Sequence, residues 1–270
     1  MKTGIFLILA LISGLYTLTA STAPPAPDDM TQNLEAIRQK YGLPALAAVV
    51  VKDGAICDRI AVGVRKWGDT TPVTTKDVFH IGSDTKAMTA TLAAMLIDEG
   101  KLNWDTTIAD VFPEFKGKIN PQYENVTVEQ LLTHRGGLSQ SPPAAAWARA
   151  RKAQGTPVEQ RYEFIQAVLA QPPAATPGTK MIYSNQGYAI IGAMLEKITG
   201  VPWEKLITEH LFKPLHMDSA GFGPPGTIGQ VDQPWGHVRK DGGITPFQQD
   251  NPPAVSIARS MTWPASPFSK

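Results

Sequence analysis

Two short strings carry the side chains best suited to covalent chemistry, Ser83-Asp84-Thr85-Lys86 and Tyr183-Ser184-Asn185. A serine hydroxyl is a poor nucleophile until a base removes its proton, and an amine desolvated in an apolar site can have its pKa lowered enough to help. Residues three apart on a helix share a face, so a helix starting at Ser83 brings that hydroxyl and the Lys86 amine together. The helix N-terminus adds positive potential, and the Ser83 N–H can point at a developing oxyanion. By itself Ser-x-x-Lys is a weak pattern, since a capping serine and a solvated lysine give it by chance. The second string offers a phenol, which can act as a base where a cation such as Lys86 stabilises the phenolate, and the Asn185 amide. Alone, Tyr183 would read as a core tyrosine with a satisfied hydroxyl.

These groups need rigid elements behind them. The apolar positions from Ala87 to Ile97 cover nearly every face of a helix that begins near Ser83 and stops at Gly100, which predicts a central, buried element. Pro177 to Tyr188 reads as a turn, a short extended piece and a helix start, placing Tyr183 and Asn185 on a loop that faces a cleft. Upstream, a helix is expected from about Met30 to Tyr41, then a β-hairpin from Leu46–Val51 and Ile56–Val64 joined by Asp53-Gly54. Thr127 with Gln130, and Thr156 with Glu159 and Pro157, form capping boxes that start two further helices. Helices also follow at Gly187–Thr199, stopped by Gly200, and at about Trp203–Phe212. Beyond Gly221 the many prolines interrupt any period, and no element is predicted.

Composition narrows the function classes. With 25 basic and 24 acidic side chains the net charge is +1, which gives no electrostatic basis for a nucleic-acid partner. Met1-Lys2, the apolar run Gly4–Leu18 and the small residues Thr19–Ala23 have the pattern of a secretory signal, with cleavage expected after Ala20 or Ala23. That run is shorter than the roughly 20 residues needed to span a bilayer, so no stable membrane span is expected after cleavage. Residues 24–270 read as one domain, periplasmic or secreted. Cys57, the single cysteine, sits in an apolar strand and is expected to pack. The five histidines show no paired spacing for a metal, and His134 reads as structural. No cofactor is implied.

Taken together the two strings resemble the serine β-lactamase and penicillin-binding family, in particular its class C-like branch, in which a tyrosine begins the second string. Phe79-His80-Ile81-Gly82, Asp98–Leu102, Val128–Leu138 and Pro214-Leu215-His216-Met217 are similar to the family as well, and the likeness runs from about Gly42 to Asp250. The resemblance implies an α+β fold of β-lactamase/transpeptidase type, with a helical region inserted in an antiparallel sheet domain. It implies that Ser83 is the acylated nucleophile, Lys86 its proton partner, Tyr183 the base and Asn185 a substrate-binding donor. The substrate class would be a β-lactam, a D-amino-acid peptide such as a peptidoglycan fragment, an amide or an ester.

The family's third string, Lys-Thr-Gly or His-x-Gly on a downstream strand, is not matched here. Lys240-Asp241-Gly242 imitates it but lies in a segment similar to the family's loop before Asn251-Pro252-Pro253-Ala254, and reads as a decoy. The similarity is expected to end near Ser260, leaving the domain incomplete at its C-terminus and the closing strands missing. That predicts an open sheet edge, an uncovered apolar face and impaired activity. The alternative is a non-catalytic binding or scaffold module descended from the same family.

Overall fold

The computed structural model describes residues 27–264 apart from 249 and 260, so the segment read as a secretory signal lies outside the described residues. Helix α1, Pro27–Lys40, ends where Gly42 turns at φ +56°. It packs on a hairpin of β1, Ala45–Lys52, and β2, Ala55–Gly63. The strands pair antiparallel, and Asp53 and Gly54 both take positive φ, as the predicted two-residue turn requires. Among the described residues this sheet has two strands only, and Val51 on β1 is 59% exposed. Cys57 is exposed rather than packed, because alternation along β2 turns it outward while Ile60 and Val62 turn inward.

Strand β3, Val78–His80, leads into a 3-10 turn, Gly82–Asp84, and then α2, Thr85–Asp98. Ser83 therefore lies in the turn that precedes the α-helix, one residue ahead of the Asp84 N-cap. The helix stops where predicted, with Gly100 at φ +71°. Its buried stripe is Thr85, Lys86, Thr89, Leu92, Ala93 and Leu96, while Ala87 and Thr91 face solvent. Thus α2 is covered on one side, and small side chains explain why its outer face looked equally apolar in sequence.

Short helices α3, Ile108–Val111, α4, Val128–Leu132, and α5, Ala144–Ala150, lead to α6, Pro157–Leu169. Both predicted capping boxes form, Thr127 with Gln130 and Thr156 with Glu159. The central helix is α7, Asn185–Thr199, buried at every position from Gln186 to Glu196 and closed by Gly200 at φ +69°. It can be surrounded because Gly187, Ala189, Gly192 and Ala193 let its neighbours approach. Helix α8, Trp203–Ile207, continues into a π-helical turn, Thr208–Phe212. The core gathers on α7, with Leu92, Leu96, Ile108, Phe112, Leu131, Ile165, Leu169 and Trp203 all essentially buried.

The proline-rich region beyond Gly221 is not irregular throughout. It holds β4, Gly221–Phe222, and a second hairpin of β5, Gly236–Lys240, and β6, Gly243–Phe247. A 3-10 turn at Pro253–Val255 then leads to α9, Ser256–Arg259, and β7, Met261–Pro264. Strand β7 lies between β3 and β4, antiparallel to both. These elements are two to five residues long and are set among prolines, so they present too little period to be read from sequence. Lys240-Asp241-Gly242 is the end of β5 and the tip of its hairpin, with Asp241 and Gly242 at positive φ.

Candidate active site

The chain brings all four candidate residues to one point. Ser83 is held by the Gly82–Asp84 turn, where Gly82 takes φ +55° and donates its N–H to His80 Nδ1 at 3.1 Å. Thr85 Oγ1 donates to Gly82 O at 2.7 Å and closes the same turn. Lys86 lies one turn further on and is 6% exposed. Its Nζ donates to Ser83 Oγ at 3.1 Å and to Asn185 Oδ1 at 2.7 Å. Asn185 is the first residue of α7, so the Lys86–Asn185 bond ties together the starts of the two helices that frame the site.

Tyr183 approaches from the loop before α7, with its hydroxyl 2.8 Å from Ser83 Oγ and its side chain 38% exposed. Lys86 Nζ stands 4.7 Å from the centroid of the Tyr183 ring and 5.5 Å from that of Tyr188. Two aromatic faces and an amide oxygen therefore surround the buried ammonium, each an interaction that favours the charge. Tyr188 is a different kind of tyrosine. Burial pushes its hydroxyl above the ordinary phenol value, with Tyr183 adding to the effect, and it donates to Leu132 O at 3.0 Å. Tyr188 thus stays protonated, whereas Tyr183 faces both Ser83 and the open side.

His134 is the residue at this site that sequence reasoning set aside. Its ring centroid lies 4.5 Å from that of Tyr183 and 5.3 Å from that of Tyr188. Its Nδ1 accepts the Ser184 N–H at 3.2 Å, and its backbone carbonyl accepts the Ile182 N–H at 2.8 Å. Burial and the nearby Lys86 charge hold its imidazole below the usual histidine value. The sequence signal was its place in Leu132-Thr133-His134-Arg135-Gly136-Gly137, but nothing in that string reveals that His134 adopts φ +60°.

The arrangement is suited to proton transfer at a nucleophile. Ser83 Oγ is within hydrogen-bond reach of two groups that could take its proton, and one of those groups is fixed by a third residue. The structure does not bring Lys240 to this point: its hairpin tip makes none of the hydrogen bonds at Ser83. A separate cavity of about 530 Å³ is lined by residues including Ala45, Phe79, His80, Trp235, Phe247 and Asp250, and shares His80 with the turn behind Ser83 but not Ser83 itself.

A family model described as Beta-lactamase matches residues 30–262, a longer stretch than the motifs alone suggested. Penicillin-binding protein 4 of Amycolatopsis lactamdurans is 33% identical over 184 residues, which cover 68% of this chain and 46% of that protein. The chain thus spans less than half the length of this relative. The solved structure of the D-alanine carboxypeptidase AmpC from Burkholderia cenocepacia matches with a TM-score of 0.67 at 25% identity, covering 88% of this chain and 61% of that one. A class C beta lactamase matches with a TM-score of 0.70 at 24% identity, covering 88% and 62%, and shows the same fold.

Proposed function

The chain belongs to the Beta-lactamase family, and on that premise we propose that it is an exported serine hydrolase that works through an acyl-enzyme on Ser83. The observation that carries this reading is the joint approach of Lys86 Nζ and Tyr183 Oη to Ser83 Oγ, at 3.1 and 2.8 Å. In the proposed cycle the Ser83 proton passes to Tyr183 as a phenolate or to Lys86 as a neutral amine as Oγ attacks a carbonyl carbon. The tetrahedral intermediate collapses when the leaving amine or alcohol takes that proton, giving an ester on Ser83. Tyr183 then accepts a proton from water, whose oxygen attacks the ester, and the acid product leaves as Ser83 regains its hydrogen. Asn185, held by Lys86 through its oxygen, can turn its NH₂ toward the substrate amide.

The likeness to a penicillin-binding protein and a D-alanine carboxypeptidase supports a β-lactam or a D-amino-acid peptide as substrate, with simple amides and esters in the same reaction class. Met1–Ala23 supports export to the periplasm or medium, where peptidoglycan-like substrates lie. One observation favours the second reading, a non-catalytic module. The strand beside β3 is β7, and its sequence Met261-Thr262-Trp263-Pro264 carries neither Lys-Thr-Gly nor His-x-Gly. Loss of one oxyanion donor costs about 10²- to 10³-fold in rate, which would slow the proposed cycle without changing its nucleophile.

A panel of a chromogenic cephalosporin, D-alanine p-nitroanilide and a p-nitrophenyl ester decides between them. Hydrolysis of at least one by the native chain and none by Ser83→Ala is expected. No turnover, together with peptidoglycan-fragment binding that Ser83→Ala leaves unchanged, would favour the module.

A further inference from the structure

His134 grips both neighbours of Tyr183. Its carbonyl takes the Ile182 N–H and its ring Nδ1 takes the Ser184 N–H, while the same ring lies against the face of Tyr183. The flanking backbone extends the attachment, with Gly178 N–H on Arg135 O at 2.7 Å and Ala174 N–H on Gly137 O at 2.9 Å. His134 reaches both neighbours because its backbone is left-handed, at φ +60°, a conformation uncommon outside glycine that histidine adopts more readily than most residues.

We propose that His134 is the positioning residue that sets Tyr183 against Ser83, through a clamp that operates only while its imidazole is neutral. The inference rests on the reading of Tyr183 as the base. Nδ1 can accept from Ser184 only as a lone pair, which fixes the proton of the neutral ring on Nε2. Protonation would place an N–H of the ring against the Ser184 N–H and break that contact. The ionisable groups facing the ring are Lys86 from α2, Tyr183 from the loop and Tyr188 from α7. The imidazolium would therefore be a second cation beside Lys86. Release of Ser184 would free the Tyr183 backbone and withdraw its hydroxyl from Ser83, so acid would disarm the site. The folded imidazole titrates below its unfolded value of about 6.5, so the unfolded chain takes the proton first. Stability tied to the neutral ring is complete above that value and falls as pH drops toward the folded midpoint.

The test uses the whole chain in its free form, with histidine-ring and backbone NMR followed on acidification from neutrality. The Ser184 amide and the Tyr183 ring resonances are expected to move with the same midpoint as the His134 ring, below the ordinary imidazole value. In parallel, Ser83 phosphonylation by a fluorophosphonate, in which Oγ displaces fluoride from phosphorus, is expected to fall about tenfold per pH unit below that midpoint, as a single required deprotonated group dictates. His134→Asn tolerates left-handed backbone and keeps an acceptor without titrating, so it should abolish this acid limb while retaining phosphonylation. His134→Phe keeps a ring but loses the acceptor, and should slow phosphonylation at every pH. Ser184 and Tyr183 signals that ignore the His134 titration would overturn the clamp, as would an unchanged acid limb in the Asn variant. Absence of any Ser83 adduct at any pH would refute the hydrolase reading instead, and the NMR arm would still decide the clamp.

Discussion

At Ser83 the short spacing to Lys86 translated directly into contact, because a 3-10 turn running into an α-helix keeps residues three apart on one side. Tyr183 and Asn185 could be paired with that site from sequence only through their resemblance to a family, since 100 residues of chain separate Ser83 from Tyr183. His134 was read as structural, and its hold on the Ile182 and Ser184 N–H groups comes from a positive φ and from the loop it faces, neither of which a single sequence displays. The roles of the two tyrosines also separate only in three dimensions, where Tyr188 is locked to Leu132 and Tyr183 is not. Tyr183→Phe removes one hydroxyl and leaves the partly exposed ring tilted against His134. It should leave the melting temperature nearly unchanged and slow Ser83 acylation by about 10²- to 10⁴-fold, the range of a general base, as measured by stopped-time intact mass.

Elements with their own local signals were legible, and elements made by tertiary contact were not. The hairpin announced itself through Asp53-Gly54, and the helices at Val128 and Pro157 through capping boxes that satisfy their first N–H groups. The strand β7 and helix α9 have no such signals, being four residues each and held by what they touch. Ile257 of α9 illustrates this: its carbonyl accepts Thr89 Oγ1 of α2 at 2.9 Å, and its side chain fills the space over Gly192 of α7. A Cβ on Gly192 would come within 1.7 Å of Ile257 Cδ1. Gly192→Ala is therefore expected to force α9 away from the helices that carry Lys86 and Asn185, at a cost of about 1–3 kcal/mol. Urea unfolding followed by circular dichroism would show this as a lower midpoint, and an unchanged midpoint would contradict the packing described.

At the scale of the fold, the helical body rests on α7 and on the buried guanidinium of Arg161. Arg161 on α6 is fully buried, donates to Glu196 of α7 and to Glu204 of α8, and reaches Pro253 O in the turn ahead of α9 and Ser256 Oγ at its first residue. One oxygen each of Glu196 and Glu204 has no partner, so the cluster is not a source of large net stability. Removing its cation is another matter: Arg161→Leu would leave the buried Glu196 carboxylate uncompensated, and should cost about 3–5 kcal/mol in chemical denaturation. This body brings the two candidate strings together, while the chain spans less than half of its curated relative and about three-fifths of the class C structure it matches. The central claim is that such a body holds a working nucleophile. It is tested most directly by treating the folded chain with a fluorophosphonate and mapping the adduct by mass spectrometry. One adduct per chain on Ser83, absent in Ser83→Ala, is predicted; a folded native chain that stays unmodified, or is modified equally in the alanine variant, would contradict the account.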